Sequence, residues 1–234
     1  MLIGKTDHLI FLSSYRVYAN EEVPVTEKAP RLLDVTADTE FLAVEDYALP
    51  KARCEDFLNE FHKGEHWTVV RPVISFSHRR FDLFVYSDNE IGEQVEKYGA
   101  LRLPAWAQEL VAGIDWAGNS GKLIANLLFK PQTYGEAYTV SSAQNLTWRE
   151  VADIYNRLFG FRVEWCSEED FIAVYPCVTT YKKWLYLYDR KYSRRIDNRK
   201  ILAATGLTDA DFTPIEAGLR IELANRDAEK MESK

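Results

Sequence analysis

Apolar residues along this chain fall into two patterns: short unbroken runs, and longer stretches in which they recur every three or four positions. His8–Ser13 (HLIFLS), Trp67–Ile74 (WTVVRPVI) and Gly135–Ser141 (GEAYTVS) are of the first kind. Runs of this length read as strands buried on both faces. The second kind covers Val44–Lys63, where Cys54, Phe57, Leu58 and Phe61 recur at helical spacing and Gly64 supplies a stop. Helices are also expected over Ala117–Phe129, Thr147–Phe159, Asp197–Thr205 and Pro214–Asn225. Thr147-Trp-Arg-Glu150 spells a capping box, in which hydroxyl and carboxylate satisfy free backbone donors. Tyr15–Thr36, with Pro24, Pro30 and many charges, reads as a long loop.

Buried strands alternating with helices imply a parallel sheet with crossover helices. The expected fold class is therefore α/β, a doubly wound parallel sheet of about three principal strands. From Phe161 the pattern becomes less regular and more aromatic, as in a smaller mixed lobe. The expected division is residues 1–160 and residues 161–234, the second interleaved with the first.

Composition narrows the function classes. The 234 residues are 47% hydrophobic and 28% charged with a net charge of −7, values of a globular chain. That acidic balance argues against general nucleic-acid or membrane-surface binding. No apolar run reaches the ~18 residues of a membrane span, and the first residues lack the order of a signal peptide, so a cytoplasmic location is the default expectation. Cys54, Cys166 and Cys177 are far apart, without metal or disulfide spacing.

Two features carry chemistry. Tyr47 and Lys51 (YALPK) are four apart at a helix start, which puts both on one face. An ammonium beside a phenol stabilises the phenolate, and such a tyrosine can act as general acid or base on a hydroxyl or carbonyl. Ser13 and Ser14 follow the first buried strand, and Arg71-Pro72 lies near the end of the second. In open parallel sheets ligands bind at the carboxyl ends of strands. There a serine can hydrogen-bond the oxygen that the tyrosine titrates; on its own Ser14 would read as a turn or helix cap.

The ordered set SSYRVY, YALPK, VVRPV and GEAYTVSSAQNLTWREVA resembles the extended short-chain dehydrogenase/reductases, the NAD-dependent epimerases and dehydratases that act mainly on nucleotide sugars. IDWAG and SRRIDNRKILAATGL are similar to two later segments of that family, so the resemblance covers nearly the whole chain. It implies a Rossmann-like sheet, Ser14 as hydroxyl partner, Tyr47 as acid/base, and Lys51 as the cation that lowers the tyrosine and binds the nicotinamide ribose. Ser13 and Pro72, Val73 and Ile74 would line the nicotinamide end of NAD or NADP. Departures are Ala19 where glycine is usual, Pro50 before the lysine, Ile74 where an asparagine often stands, and Phe76-Ser77-His78 in place of Tyr-Gly-Pro.

The family's Gly-rich turn, which sets the cofactor diphosphate on a helix N-terminus, is not found in this sequence. The chain thus resembles the later two-thirds of a family member with its N-terminal strands missing. His8–Ser13 is then expected at an open sheet edge prone to self-association, and cofactor binding by this chain alone is expected to be weak.

Lys182–Lys200 holds eight Lys/Arg against two Asp, interleaved with Tyr181, Trp184, Tyr186, Tyr188 and Tyr192. Arg190, Arg194 and Arg195 are candidates to hold a substrate diphosphate. Single-stranded nucleic acid, or a solvated face with aromatics turned inward, are the other readings of that mixture. His62-Lys-Gly-Glu65-His66 matches a metalloprotease spelling, but Gly64 should end the helix and part the two rings, and no metal is expected. The expected function is an NAD(P)-dependent epimerase, dehydratase or reductase on a nucleotide sugar or related hydroxylated substrate, this chain supplying the catalytic and substrate-binding part. The competing expectation is a non-enzymatic binding or remnant protein of the same fold.

Overall fold

A computed structural model of the protein describes residues 5–20 and 22–232. In chain order the elements run β1 (Leu9–Leu12), α1 (Leu32–Val35), α2 (Thr39–Val44), α3 (Ala48–Phe61), β2 (Trp67–Pro72), β3 (Ile74–Phe76) and α4 (Asp88–Tyr98). They continue with β4 (Leu101–Pro104), β5 (Ile114–Trp116), α5 (Ala117–Ala125), β6 (Glu136–Val140), α6 (Trp148–Phe159), β7 (Val163–Cys166), α7 (Glu168–Val174), α8 (Lys183–Leu185), α9 (Arg199–Thr205) and α10 (Ile215–Glu232). Short 3-10 turns join several of them, the first over Tyr15–Val17.

The chain forms two compact units, each assembled from three segments. The first comprises Met1–Ser75, Ala117–Ala143 and Arg195–Phe212; the second comprises Phe76–Trp116, Gln144–Arg194 and Thr213–Lys234. The boundary expected near residue 160 lies inside the second unit, because residues 76–116 and 144–160 pack with later segments.

The first unit is built on a parallel three-stranded sheet in the order β1-β2-β6. Its registers pair Leu12 with Val70 and Arg71 with Thr139, so the carboxyl ends of the three strands lie together. Successive side chains of a strand face opposite sides. On one face Val70, Tyr138 and Val140 bury against Leu123 and Leu127 of the α5 segment and Ile201 of α9. On the other, Trp67 and Val69 bury against Leu58 of α3. Helices on both faces make the sheet doubly wound, as the alternation of buried strands and helices predicts.

Around the sheet, the helix expected over Val44–Lys63 is α3 alone, Ala48–Phe61, and a separate helix, α2, ends where it was expected to begin. Glu45 adopts left-handed φ of 48° and ends α2, and α3 starts again at Ala48. Pro50 explains the restart: a proline ring clashes with the carbonyl four residues back, and it lacks an N–H. Beginning at Ala48 places Pro50 in the first turn, where the backbone donors have no partner in the helix. The strand expected over Trp67–Ile74 likewise stops at Pro72 and resumes at Ile74, and the loop expected over Tyr15–Thr36 contains α1 and the first 3-10 turn.

In the second unit β4 and β7 form a parallel pair, with an aromatic core centred on Phe84, whose ring meets Trp106, Trp148, Phe171 and Tyr186 edge to face. The expected capping box holds, with Thr147 and Glu150 at the start of α6, and Gly160 and Gly206 close α6 and α9 with positive φ. Among the described residues no helix is long and apolar enough to cross a membrane.

Candidate functional site

Of the expected residues, Ser14 follows the carboxyl end of β1, and Lys51, beside Tyr47, bonds to that same strand end. The backbone N–H of Ser13 donates to Val70 O at 2.8 Å, the last link to β2 before the chain turns away. Ser14 is buried, extended, and caps the turn Tyr15–Val17; its Oγ accepts from Arg16 N–H at 3.2 Å. The cap role read from the sequence is therefore real, but it uses the oxygen as acceptor and leaves the hydroxyl proton to donate elsewhere.

Tyr47 sits at the N-cap of α3 and is 49% exposed. One turn on, Lys51 Nζ donates to Leu12 O at 2.8 Å and lies 5.7 Å from the Tyr47 ring centroid. Arg16, held by Asp46 at 2.9 Å, stands over the same ring at 5.2 Å. Two cations thus flank Tyr47, both tied to the chain segment that carries Ser14. No hydrogen bond joins the Tyr47 hydroxyl to Ser14 or Lys51. Of the three N–H donors of Lys51 one is used by Leu12, so donors remain for a ligand hydroxyl.

Pro72, Val73 and Ile74 follow at the carboxyl end of β2; Val73 and Ile74 are buried, and Val73 N–H donates to Val140 O at 3.3 Å. Ser13, expected with them, is placed differently. Its hydroxyl donates to Glu55 Oε1 at 2.5 Å. Glu55 is a buried carboxylate on α3, one turn past Lys51, and accepts two parallel bonds from Arg71, at 2.9 and 2.6 Å. The Arg71 guanidinium lies 4.8 Å from the centroid of the Tyr18 ring, and the Tyr18 hydroxyl pairs with Thr139 Oγ1 at 2.7 Å. Burial pushes the Tyr18 phenol up from its ordinary value. Sequence reading passed over Glu55; the signal available was its place in the series Tyr47, Lys51, Glu55, a carboxylate on the helix face that already carried the chemistry.

The arginines expected to hold a diphosphate behave otherwise. Arg190 and Arg194 are buried in the second unit around Asp189, which itself is 1% exposed. Arg194 Nε donates to Asp189 Oδ1 at 3.0 Å, Arg190 Nη1 donates to the other carboxylate oxygen, and Arg190 Nε donates to Phe84 O at 2.7 Å. Lys182, from the same basic stretch, is buried and donates to Glu90, to the Tyr175 hydroxyl and to Val85 O. Burial alone would raise the Glu90 carboxyl, but its bonds from Lys182, Ser87 and Tyr175 hold it down at about 2. Arg195 alone of the three arginines is exposed, and it belongs to the first unit, where its carbonyl accepts from Val25 N–H at 2.7 Å. Three of the eight basic residues here are thus matched inside a core, which composition cannot reveal.

His62 and His66 part as expected. His62 caps α3 and meets Glu65 at 3.1 Å, whereas His66 stacks on Tyr134 at 4.3 Å. Among the described residues no group of three or more His, Cys, Asp or Glu is placed to hold a metal.

Neither a protein-family model nor a curated protein matches this chain. Solved structures do. The UDP-N-acetylglucosamine 4-epimerase from Methanobrevibacter ruminantium M1, in complex with UDP-N-acetylmuramic acid, is 16% identical with a TM-score of 0.64, covering 98% of this chain and 64% of that one. A UDP-glucuronic acid 4-epimerase from Bacillus cereus, in complex with UDP-glucuronic acid and NAD, is 10% identical with a TM-score of 0.62, covering 95% and 62%. The terminal R domain of the myxalamid PKS-NRPS pathway is 16% identical with a TM-score of 0.63, covering 95% and 58%. At such identities the likeness is one of fold: the chain has the Rossmann-like fold found in NAD-dependent nucleotide-sugar epimerases and dehydratases of the extended short-chain type. It spans less than two thirds of the length of each of these three structures.

Proposed function

We propose that this chain carries the catalytic and substrate-binding part of an NAD(P)-dependent epimerase, dehydratase or reductase acting on a nucleotide sugar or a related hydroxylated substrate. The observation that supports the reading is Lys51 Nζ, beside the Tyr47 ring and bonded to Leu12 O at the carboxyl end of β1, two residues before Ser14, where this kind of sheet binds its ligands. In this reading Tyr47 exchanges a proton with the substrate oxygen, and Ser14, its own oxygen already accepting from Arg16 N–H, donates its hydroxyl proton to that same oxygen. Lys51 and Arg16 place two positive charges beside the Tyr47 ring. Lys51, with donors beyond the one bound to Leu12, and Pro72–Ile74 would hold the nicotinamide–ribose end of NAD or NADP. That group, when bound, supplies the hydride acceptor or donor. Arg195, exposed on the first unit, is the arginine of the three best suited to a substrate phosphate.

The test is incubation of the full chain with NAD+ or NADP+ and a panel of uridine- and thymidine-diphosphate sugars, products being followed by mass spectrometry and NMR. With cofactor supplied in enough excess to offset the weak binding expected of this chain, turnover should appear and fall about 10²-fold or more in Tyr47→Phe, the size of a lost general acid–base group. Absence of turnover, together with no calorimetric binding of cofactor or nucleotide sugar, would leave the binding or remnant protein standing instead.

A further inference from the structure

We propose that Glu55 is the positioning residue of this site: its carboxylate, shared between Ser13 and Arg71, sets where Tyr47 and Lys51 stand relative to Ser14. The inference rests on the catalytic reading given above.

α3 is fastened to the end of β1 by two bonds made from one helix face. Lys51 Nζ donates to the carbonyl of Leu12, and four residues later Glu55 accepts from the hydroxyl of Ser13. Four residues are just over one turn and about 6 Å along the helix axis, whereas Leu12 and Ser13 are neighbours in the chain. Sliding α3 by one residue would turn its face by about 100° and break both bonds at once. The register is therefore held twice, and the residue after Ser13 is the candidate catalytic serine.

Arg71 extends this fastening to the rest of the sheet. It follows Val70, the β2 residue opposite Leu12, and its two parallel bonds fix the plane of the Glu55 carboxylate. Arg31 Nη1 adds a third donor at 3.4 Å. Through the Tyr18 ring and the Tyr18–Thr139 bond the same cluster reaches β6, so all three strand ends are tied to the helix that bears Tyr47 and Lys51. Ion pairs buried in this way add little net stability over an apolar cluster, while losing one partner is costly. A role in geometry accounts for the pair where stability alone does not.

Stability therefore cannot be the only readout. Lys51 and Lys130 both lie in the first unit and both donate to backbone carbonyls, Lys130 to those of Ala204 and Thr205. Ser13→Ala keeps the Glu55–Arg71 pair and removes only the link to β1; Ser13→Thr keeps the hydroxyl. The full chain and these variants, with Glu55→Gln alongside, are labelled with an amine-reactive reagent and the rates at Lys51 and Lys130 read by peptide mass spectrometry. Ser13→Ala should raise the Lys51 rate about tenfold, the effect of about 1.4 kcal/mol of lost fastening. The Lys130 rate should stay unchanged, and Ser13→Thr should restore Lys51 to its original rate. Equal Lys51 rates in the original chain and in Ser13→Ala, or parallel increases at both lysines, would overturn the proposal and make the cluster a general core feature. Should Glu55→Gln fail to fold, the serine pair decides alone. The catalytic reading falls by a different result, unimpaired turnover in Tyr47→Phe, so the two failures are distinguishable.

Discussion

A single histidine shows how far one side chain's chemistry can be derived from its neighbours. His8 is buried at the start of β1, and its Nδ1 accepts from Phe129 N–H at 2.9 Å. An acceptor nitrogen carries no proton, so in the neutral ring the hydrogen sits on Nε2 and is donated to Thr68 Oγ1 at 2.9 Å; Thr68 in turn donates to Thr133 O at 2.6 Å. A second proton would set an N–H against the Phe129 N–H. Burial first, and the neighbouring His66 second, lower the His8 pKa below its ordinary 6.5. Between the two values the unfolded chain binds more protons than the folded one, so stability is full above about pH 6.5 and declines as pH falls toward the folded value. Denaturant midpoints measured at about pH 7.5 and about pH 5.5 should drop more for the original protein than for His8→Gln. Equal drops would show that the ring titrates alike in both states. Glu90, held at about 2, titrates well below that window and does not confuse the comparison.

At the scale of elements, α10 passes close to β5 within the second unit. A Cβ built on Gly218 would lie 2.8 Å from Trp116 Cγ and 3.3 Å from Phe76 Cζ. Trp116 has no room to yield, because its indole Nε1 donates to Glu222 Oε1 at 2.6 Å and Glu222 also accepts from His78 N–H at 2.8 Å. Glycine is thus required here by closeness of approach. Gly218→Ala should cost about 1–3 kcal/mol of unfolding free energy through overpacking, read as a lower chemical denaturation midpoint. A neutral result would mean that α10 can shift away from Trp116. At Gly206 the reason for glycine is different: a φ of 79° closes α9, and a side chain there would be strained whatever the space.

For the whole molecule, the edge of the main sheet matters most. Among the described residues β1 has one hydrogen-bonded neighbour, β2, and Leu12 at its end is 54% exposed. An open strand edge with apolar side chains favours pairing with another chain, and a lysine on the edge opposes it. Light scattering should therefore find a mass above the 27.1 kDa of one chain, and Leu12→Lys should move it toward that value. A monomer in the original protein would show that the edge is protected some other way.

What the sequence determined by itself is what local rules control. Periodicity and chain chemistry marked the three strands of the main sheet, the capped start of α6 and the Tyr47–Lys51 spacing, because dihedral preference and burial pattern act over a few residues; β1, expected buried on both faces, is instead half-buried with Leu12 exposed. The break at Glu45–Tyr47 was encoded by Pro50, but only a view of the first helical turn made its consequence plain. Tertiary structure decided the rest. Glu55 meets Arg71 sixteen residues away and Ser13 forty-two residues away, and Asp189 is enclosed by arginines that read locally as a basic ligand surface. Whether a charge meets solvent, a ligand or a buried partner depends on which segments the fold brings together, and that information is not carried by the neighbours of any one residue in the chain.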